Sequence, residues 1–260
     1  GGRHRGGKRA ERRRAARDRP QGDEQGHLRE VPHCRGARHR ALFRHAPAPD
    51  RVEPDGSGAA ADRHRALENF PELRAIEPEL EIYDSLLCKW QAKINLVGPS
   101  TLDQVWWRHF ADSAQLLAFA SEARTWADLG SGGGFPGLVL ALLLKSTGNA
   151  EVTLVESDSR KAAFLREVSR ETSAPATVVN QRMERLDIAR PDIVTSRALA
   201  PVARLSGAIR PWLDSGTTGL FLAGESGSGG TDANLKVEAT PSRTGPGFVV
   251  KVRSTDSGLS

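Results

Sequence analysis

The chain has 260 residues, 38% of them hydrophobic, and a formal net charge of +5; that length fits one large domain, or one domain plus a segment that does not fold. Its two cysteines, Cys34 and Cys88, form no CxxC pair, which argues against a disulfide scaffold or a cysteine-held metal and fits a reducing cytoplasm. The longest apolar run, Leu138 to Leu144, is seven residues, far short of a membrane span, and the start lacks the apolar core of a secretory signal, so neither membrane nor export is expected.

Charge is unevenly placed. Residues 1–65 hold 17 Lys+Arg against 9 Asp+Glu, near +8, which leaves 20 against 23, near −3, for the remainder. Six of the seven histidines fall in the same stretch. Arg, Gly, Pro, Ala and His dominate it without a helical or strand period, so it reads as an extension that does not fold, or as a basic arm for nucleic acid. The boundary of the folded domain is expected at residue 66, with N-terminal helices over 66–120 and an α/β core over 121–260.

Apolar residues at Leu80, Tyr83, Leu86, Leu87, Trp90 and Ile94 describe one helical stripe. The stretch "STLDQVWWRHFADSAQLLAFA" makes a second helix, with Ser100 or Thr101 as its N-cap. Strands and helices then alternate. "TWADL" leads through a glycine loop into a helix over 137–145, and "EVTLVE" leads into a helix that begins at Ser157 or Asp158. "ATVVN" is a third strand and "DIVTSRA" a fourth, followed by a helix over 201–213. "TTGLFLA" is a fifth, and "NLKVEAT" with "GFVVKVR" closes the chain as an antiparallel pair. This order predicts an α/β, Rossmann-like, doubly wound sheet, mostly parallel with an antiparallel end.

Open parallel sheets bind ligands outside the carboxyl ends of their strands. After the first strand stand Gly130, Gly132 and Gly134 in "DLGSGGGFPG", which let the chain turn tightly and a ligand approach the backbone. Their spacing is G-x-G-x-G, not the G-x-G-x-x-G of a dinucleotide site. The carboxylate of Asp128 just ahead would repel a pyrophosphate and suits an ammonium or a sulfonium, which favours S-adenosylmethionine. Glu156 closes the second strand 26 residues after Gly130, where an acid can accept ribose hydroxyls in either cofactor class.

These residues, with their flanks, resemble the RsmG/GidB family of small-subunit ribosomal RNA methyltransferases. The likeness rests on "YDSLLCKWQAKINLVG" with "RHFADSAQLL", on "DLGSGGGFPGLVLAL", on "LVESDSRKAAFLREV", and on "QRMERL" with "DIVTSRALAPVARL". It implies a class I methyltransferase fold and methyl transfer from S-adenosylmethionine to N7 of a guanine in 16S rRNA, free or in the small subunit. It also implies that Gly130 and Phe135 line the cofactor pocket, that Met183 and Glu184 border the adenine, and that Arg197 orients the RNA base or the cofactor's carboxylate. No general base is required, because guanine N7 has a free lone pair at neutral pH. A monomer without metal is expected. Residues 1–65 have no counterpart in the family, and the glycine-rich stretch over 223–234 replaces a helix.

Other readings give several residues plainer roles. His109 is expected to be a structural histidine bonded to Asp112, Trp90 a core residue, and Trp106 and Trp107 core on one side and partly exposed on the other rather than platforms for bases; Arg160, Lys161 and Arg166 are either a phosphate track or a solvated helix face. A methyltransferase with a protein or small-molecule acceptor and a non-enzymatic RNA-binding protein are the competing functions.

Overall fold

The computed structural model describes residues 58–145, 148, 150–197, 199–224 and 233–255. Most of the basic N-terminal stretch and residues 225–232 of the glycine-rich segment lie outside them. Seven strands form one sheet: β1 (Thr125–Leu129), β2 (Glu151–Val155), β3 (Ala176–Val179), β4 (Ile193–Arg197), β5 (Thr218–Ala223), β6 (Leu235–Pro241) and β7 (Phe248–Ser254), in the order β3-β2-β1-β4-β5-β7-β6. The first five run parallel, while β7 pairs antiparallel with β5 and β6 antiparallel with β7. The seven predicted strands are all present, parallel with an antiparallel end as expected, and the order of strands across the sheet reverses between β1 and β4.

Strand alternation puts side chains of β1 on opposite faces. Trp126 joins the larger core on one side, and Ala127 and Leu129 join the smaller core on the other. The helix α4 (Gly137–Leu144) is apolar on every side, a pattern that requires cover all round. The sheet supplies one side. The N-terminal helices α1 (Gly58–Asn69) and α2 (Glu77–Gln91), with α5 (Ser159–Thr172), complete the same core. The short helices α6 (Val202–Ala208) and α7 (Arg210–Asp214) cover the opposite face.

Two expectations need correction. Helix α1 begins at Gly58, eight residues ahead of the expected boundary, because its charged residues are used by the fold. The buried carboxylate of Asp62 accepts the backbone N–H groups of Trp106 (2.9 Å) and Trp107 (3.2 Å). The guanidinium groups of Arg63 and Arg65 lie over the Trp106 and Trp107 rings, at 4.9 and 3.8 Å. The second correction concerns the helix expected from Ser100 onward. A 3₁₀ turn (Pro99–Gln104) precedes a π turn (Trp106–Ala111), the three-residue α3 (Asp112–Ala114) and another 3₁₀ turn (Gln115–Phe119). Neither Ser100 nor Thr101 caps it; the orphan N–H groups at its start go to Asp62, 44 positions back in sequence. Trp106 and Trp107 are both buried, without the partial exposure expected of them, because α1 lays Arg63 and Arg65 over their rings.

Candidate cofactor-binding site

The glycine loop is strapped to the end of β2. The N–H groups of Gly130 and Ser131 both donate to the Val155 carbonyl, at 2.8 and 3.0 Å. Glu156 accepts the N–H of Gly132 on one carboxylate oxygen and that of Asp158 on the other, both at 2.8 Å. An ionised carboxylate has about four lone-pair sites, so each oxygen keeps one for another donor. Asn180, after β3, donates to the Glu156 carbonyl at 2.7 Å and holds the residue from the other side. Gly130, Gly132 and Gly134 all have positive φ, at 68°, 54° and 90°. A Cβ on Gly130 would lie 2.6 Å from a Leu199 methyl, and one on Gly134 would meet the Tyr83 hydroxyl.

Asp128 sits beneath this loop and not in front of it. It is 1% exposed. One oxygen accepts the Gly137 N–H (3.2 Å) at the start of α4, and the other accepts the Thr195 hydroxyl (3.2 Å) of β4. Burial pushes its carboxyl up to about 6, against the hydrogen bonds that hold it down. The carboxylate thus ties three elements together, and a Cβ on Gly137 would stand 2.7 Å from its Cβ.

Phe135 and Arg197 also lie outside the lining of the pocket that the glycine loop borders. Phe135 is 3% exposed. Its ring lies parallel to Tyr83, with centroids 5.2 Å apart, and is stacked 4.8 Å from the His109 ring. Tyr83 donates its hydroxyl to the Gly133 carbonyl, so α2 grips the loop at two points. The Arg197 guanidinium lies 5.0 Å from the Phe135 centroid, donates to the Arg108 carbonyl at 3.0 Å, and stands 3.8 Å from Asp112. Asp112 in turn accepts hydrogen bonds from Gln115, Ser242 and Thr244, which joins the β6–β7 turn to the same cluster.

His109 is not bonded to Asp112 as expected. Its Nε2 lies 2.8 Å from the Thr101 hydroxyl, whose own hydrogen goes to the Gly98 carbonyl at 2.7 Å. Nε2 therefore donates, and Nδ1 is a bare buried lone pair without a partner among the described residues. Burial, with the nearby charges of Arg197 and Arg108, drives its pKa down to about 2.

A pocket of about 200 Å³ opens outside the carboxyl ends of β1 to β4. Gly130 lines it from the loop, Val155 and Ser157 from the end of β2, and Gln181 to Glu184 from the segment after β3. Leu199 and Ala200 line it after β4, and Arg204 from α6. This lies where the chain direction switches between β1 and β4, the usual ligand position in such sheets. Of the expected site residues, Gly130, Met183 and Glu184 line the pocket, while Gly132 and Glu156 shape its loop. Asp128, Gly134, Phe135 and Arg197 act behind it, bracing the loop on α4, β4 and the N-terminal helices. Sequence reading missed Gln181, Leu199 and Arg204, which carry no pattern of their own, and the bracing role of Tyr83. Arg160 pairs with Asp158, and neither it, Lys161 nor Arg166 lines the pocket. Among the described residues no group of three or more His, Cys, Asp or Glu is placed to hold a metal.

The pocket fits an adenosine-bearing cofactor. Met183 and Val155 offer apolar surface, Gly130 brings bare backbone to the pocket, and Glu156 behind the loop keeps lone pairs for further donors.

A mostly parallel seven-stranded sheet with this loop and this pocket defines a class I methyltransferase. A model of the GidB family, described as rRNA small subunit methyltransferase G, matches residues 76–242. The chain belongs to that family. A Ribosomal RNA small subunit methyltransferase G of Rhodopseudomonas palustris (strain HaA2) is 48% identical over 186 residues, 70% of this chain and 76% of the relative. The protein of the same name from Bradyrhizobium diazoefficiens is 44% identical over 206 residues, 76% of this chain and 79% of its own length. A solved structure of an MtNAS mutant shares the fold, with a TM-score of 0.50 at 18% identity over 75% of this chain and 81% of that one.

Proposed function

We propose that the chain transfers a methyl group from S-adenosylmethionine to N7 of a guanine in 16S rRNA, acting as a cytoplasmic monomer. The observation that carries this is the pocket at the β1/β4 switch, lined by Gly130 and Met183 within the stretch matched by the family. Gly130, Met183, Glu184 and the Gly132–Glu156 pair would hold the cofactor, whose sulfonium supplies an electrophilic methyl group when bound. Glu184 is the one acidic residue among those lining the pocket. That suits an acceptor which needs no proton removed before it attacks. The work left to the protein is alignment of the guanine ring and exclusion of water.

Arg197 is a positioning residue in this reading. It acts through Phe135 and the Arg108 carbonyl, holding the N-terminal helices against the glycine loop. Arg197→Lys keeps the charge and loses the planar guanidinium, so both Arg197→Lys and Arg197→Ala are expected to weaken S-adenosylmethionine binding. Equal affinity in the wild type and both variants by calorimetry would remove the role.

The function is tested by incubating the protein with methyl-labelled S-adenosylmethionine and small ribosomal subunits from a strain that lacks this methylation. Label in the 16S rRNA supports the reading. Label in ribosomal proteins, or none at all, overturns it.

A further inference from the structure

Two arginines at the mouth of the pocket have no task within the fold. Arg182 stands just ahead of Met183, and Arg204 in the first turn of α6; both line the pocket and both are exposed. Neither guanidinium has a hydrogen-bonding or ion-pair partner among the described residues. Arg63, Arg197 and Arg210, by contrast, each face a carboxylate. The two free cations stand on opposite flanks, one after β3 and the other after β4, with β2 and β1 between them in the sheet.

Among the residues that line the pocket Glu184 is the one acid. Glu184 cancels only one of the two cations. Leu199, after β4, lines the same pocket; it is 44% exposed and one of two large apolar side chains so exposed among the described residues. An apolar surface flanked by free guanidinium groups matches the chemistry of a single-stranded nucleotide, whose base packs on the apolar side and whose phosphates meet the cations.

We propose that Arg182 and Arg204 are positioning residues that take backbone phosphates on either side of the methylated nucleotide and so seat its base at Leu199. This rests on the RNA methyl-transfer reading above.

Arg182→Ala and Arg204→Ala should each raise KM for the unmethylated small subunit about tenfold, the loss of one charge-assisted contact. The rise in KM should exceed any loss of S-adenosylmethionine affinity, because both arginines also line the pocket. The salt dependence of RNA binding, measured by filter binding of the rRNA, should become shallower by about 0.7 per arginine removed. Arg182→Lys and Arg204→Lys should recover most of the affinity, and Arg74→Ala, an exposed cation on the N-terminal helices, should change nothing. Unchanged KM and salt slope in both alanine variants would overturn the proposal. So would a loss of S-adenosylmethionine affinity as large as the rise in KM, which would assign the arginines to the cofactor's carboxylate. Filter binding reads the phosphate contacts without catalysis, so absent methyl transfer by the wild type would count against the activity alone.

Discussion

Replacing His109 with glutamine isolates one buried titration. In the folded chain the imidazole is 5% exposed, stacked on Phe135, and held neutral down to about pH 2 by burial and by the charges of Arg197 and Arg108. In the unfolded chain it takes a proton near its ordinary value of 6.5. Between those values the unfolded state binds more protons, so the stability this residue contributes is present above about pH 6.5 and is lost as the pH falls. At pH 5 the unfolded histidine lies about 1.5 units below its pKa, which at 1.36 kcal/mol per unit amounts to about 2 kcal/mol. The figure does not depend on how far below 5 the folded value lies. Asp84 and Asp128 work in the opposite sense. Burial raises both to about 6, so the folded chain takes up their protons first, and their contribution grows as the pH falls from about 6 to 4. A wild-type stability profile mixes these effects. Subtracting the His109→Gln profile, measured by urea unfolding at pH 7 and pH 5, leaves the histidine. The stability gap between wild type and variant should move by about 2 kcal/mol in the variant's favour at pH 5. A gap equal at both values would refute the buried neutral imidazole.

Asp62→Ala should leave the Trp106 and Trp107 N–H groups without their acceptor and cost about 1–2 kcal/mol. In a domain of this size that lowers Tm by about 2–8 °C in calorimetry; an unchanged Tm would detach α1 from the fold. Gly137→Ala places a methyl against Asp128 and Leu154, and the resulting shift of the loop should weaken S-adenosylmethionine binding about tenfold and cost about 1–3 kcal/mol of stability. Glu156→Gln turns an amide N–H₂ toward one of the two backbone donors that Glu156 now accepts. Calorimetry should then read a loss of about tenfold or more in cofactor affinity, with full affinity speaking against Glu156.

The strands and the sheet's direction were legible because each strand is a short apolar run between turn residues, and because helices alternate with strands after Thr125. The pocket was legible at Gly130, Met183 and Glu184, where backbone freedom and the family motifs both point outward. Phe135 and Asp128 were misplaced for one reason. Proximity to glycines in sequence does not say which way a side chain turns. Strand alternation carries Asp128 inward onto Gly137 and Thr195, and the N-terminal helices bring Tyr83 and His109 to meet Phe135. Those contacts join residues 26 to 52 positions apart, beyond the reach of any local period. The start of α1 was hidden for a related reason. Arg63 and Arg65 read as a solvated basic run, yet their guanidinium groups pack on indole faces, and Asp62 caps a turn in a distant segment.

The central claim is tested most directly by the identity and position of the methylated nucleoside. Small subunits lacking the modification, treated with the protein and S-adenosylmethionine, should give 16S rRNA that nuclease digestion and mass spectrometry show to carry 7-methylguanosine at a single position. Methyl groups on another base atom, on several scattered guanines or on protein would contradict the account.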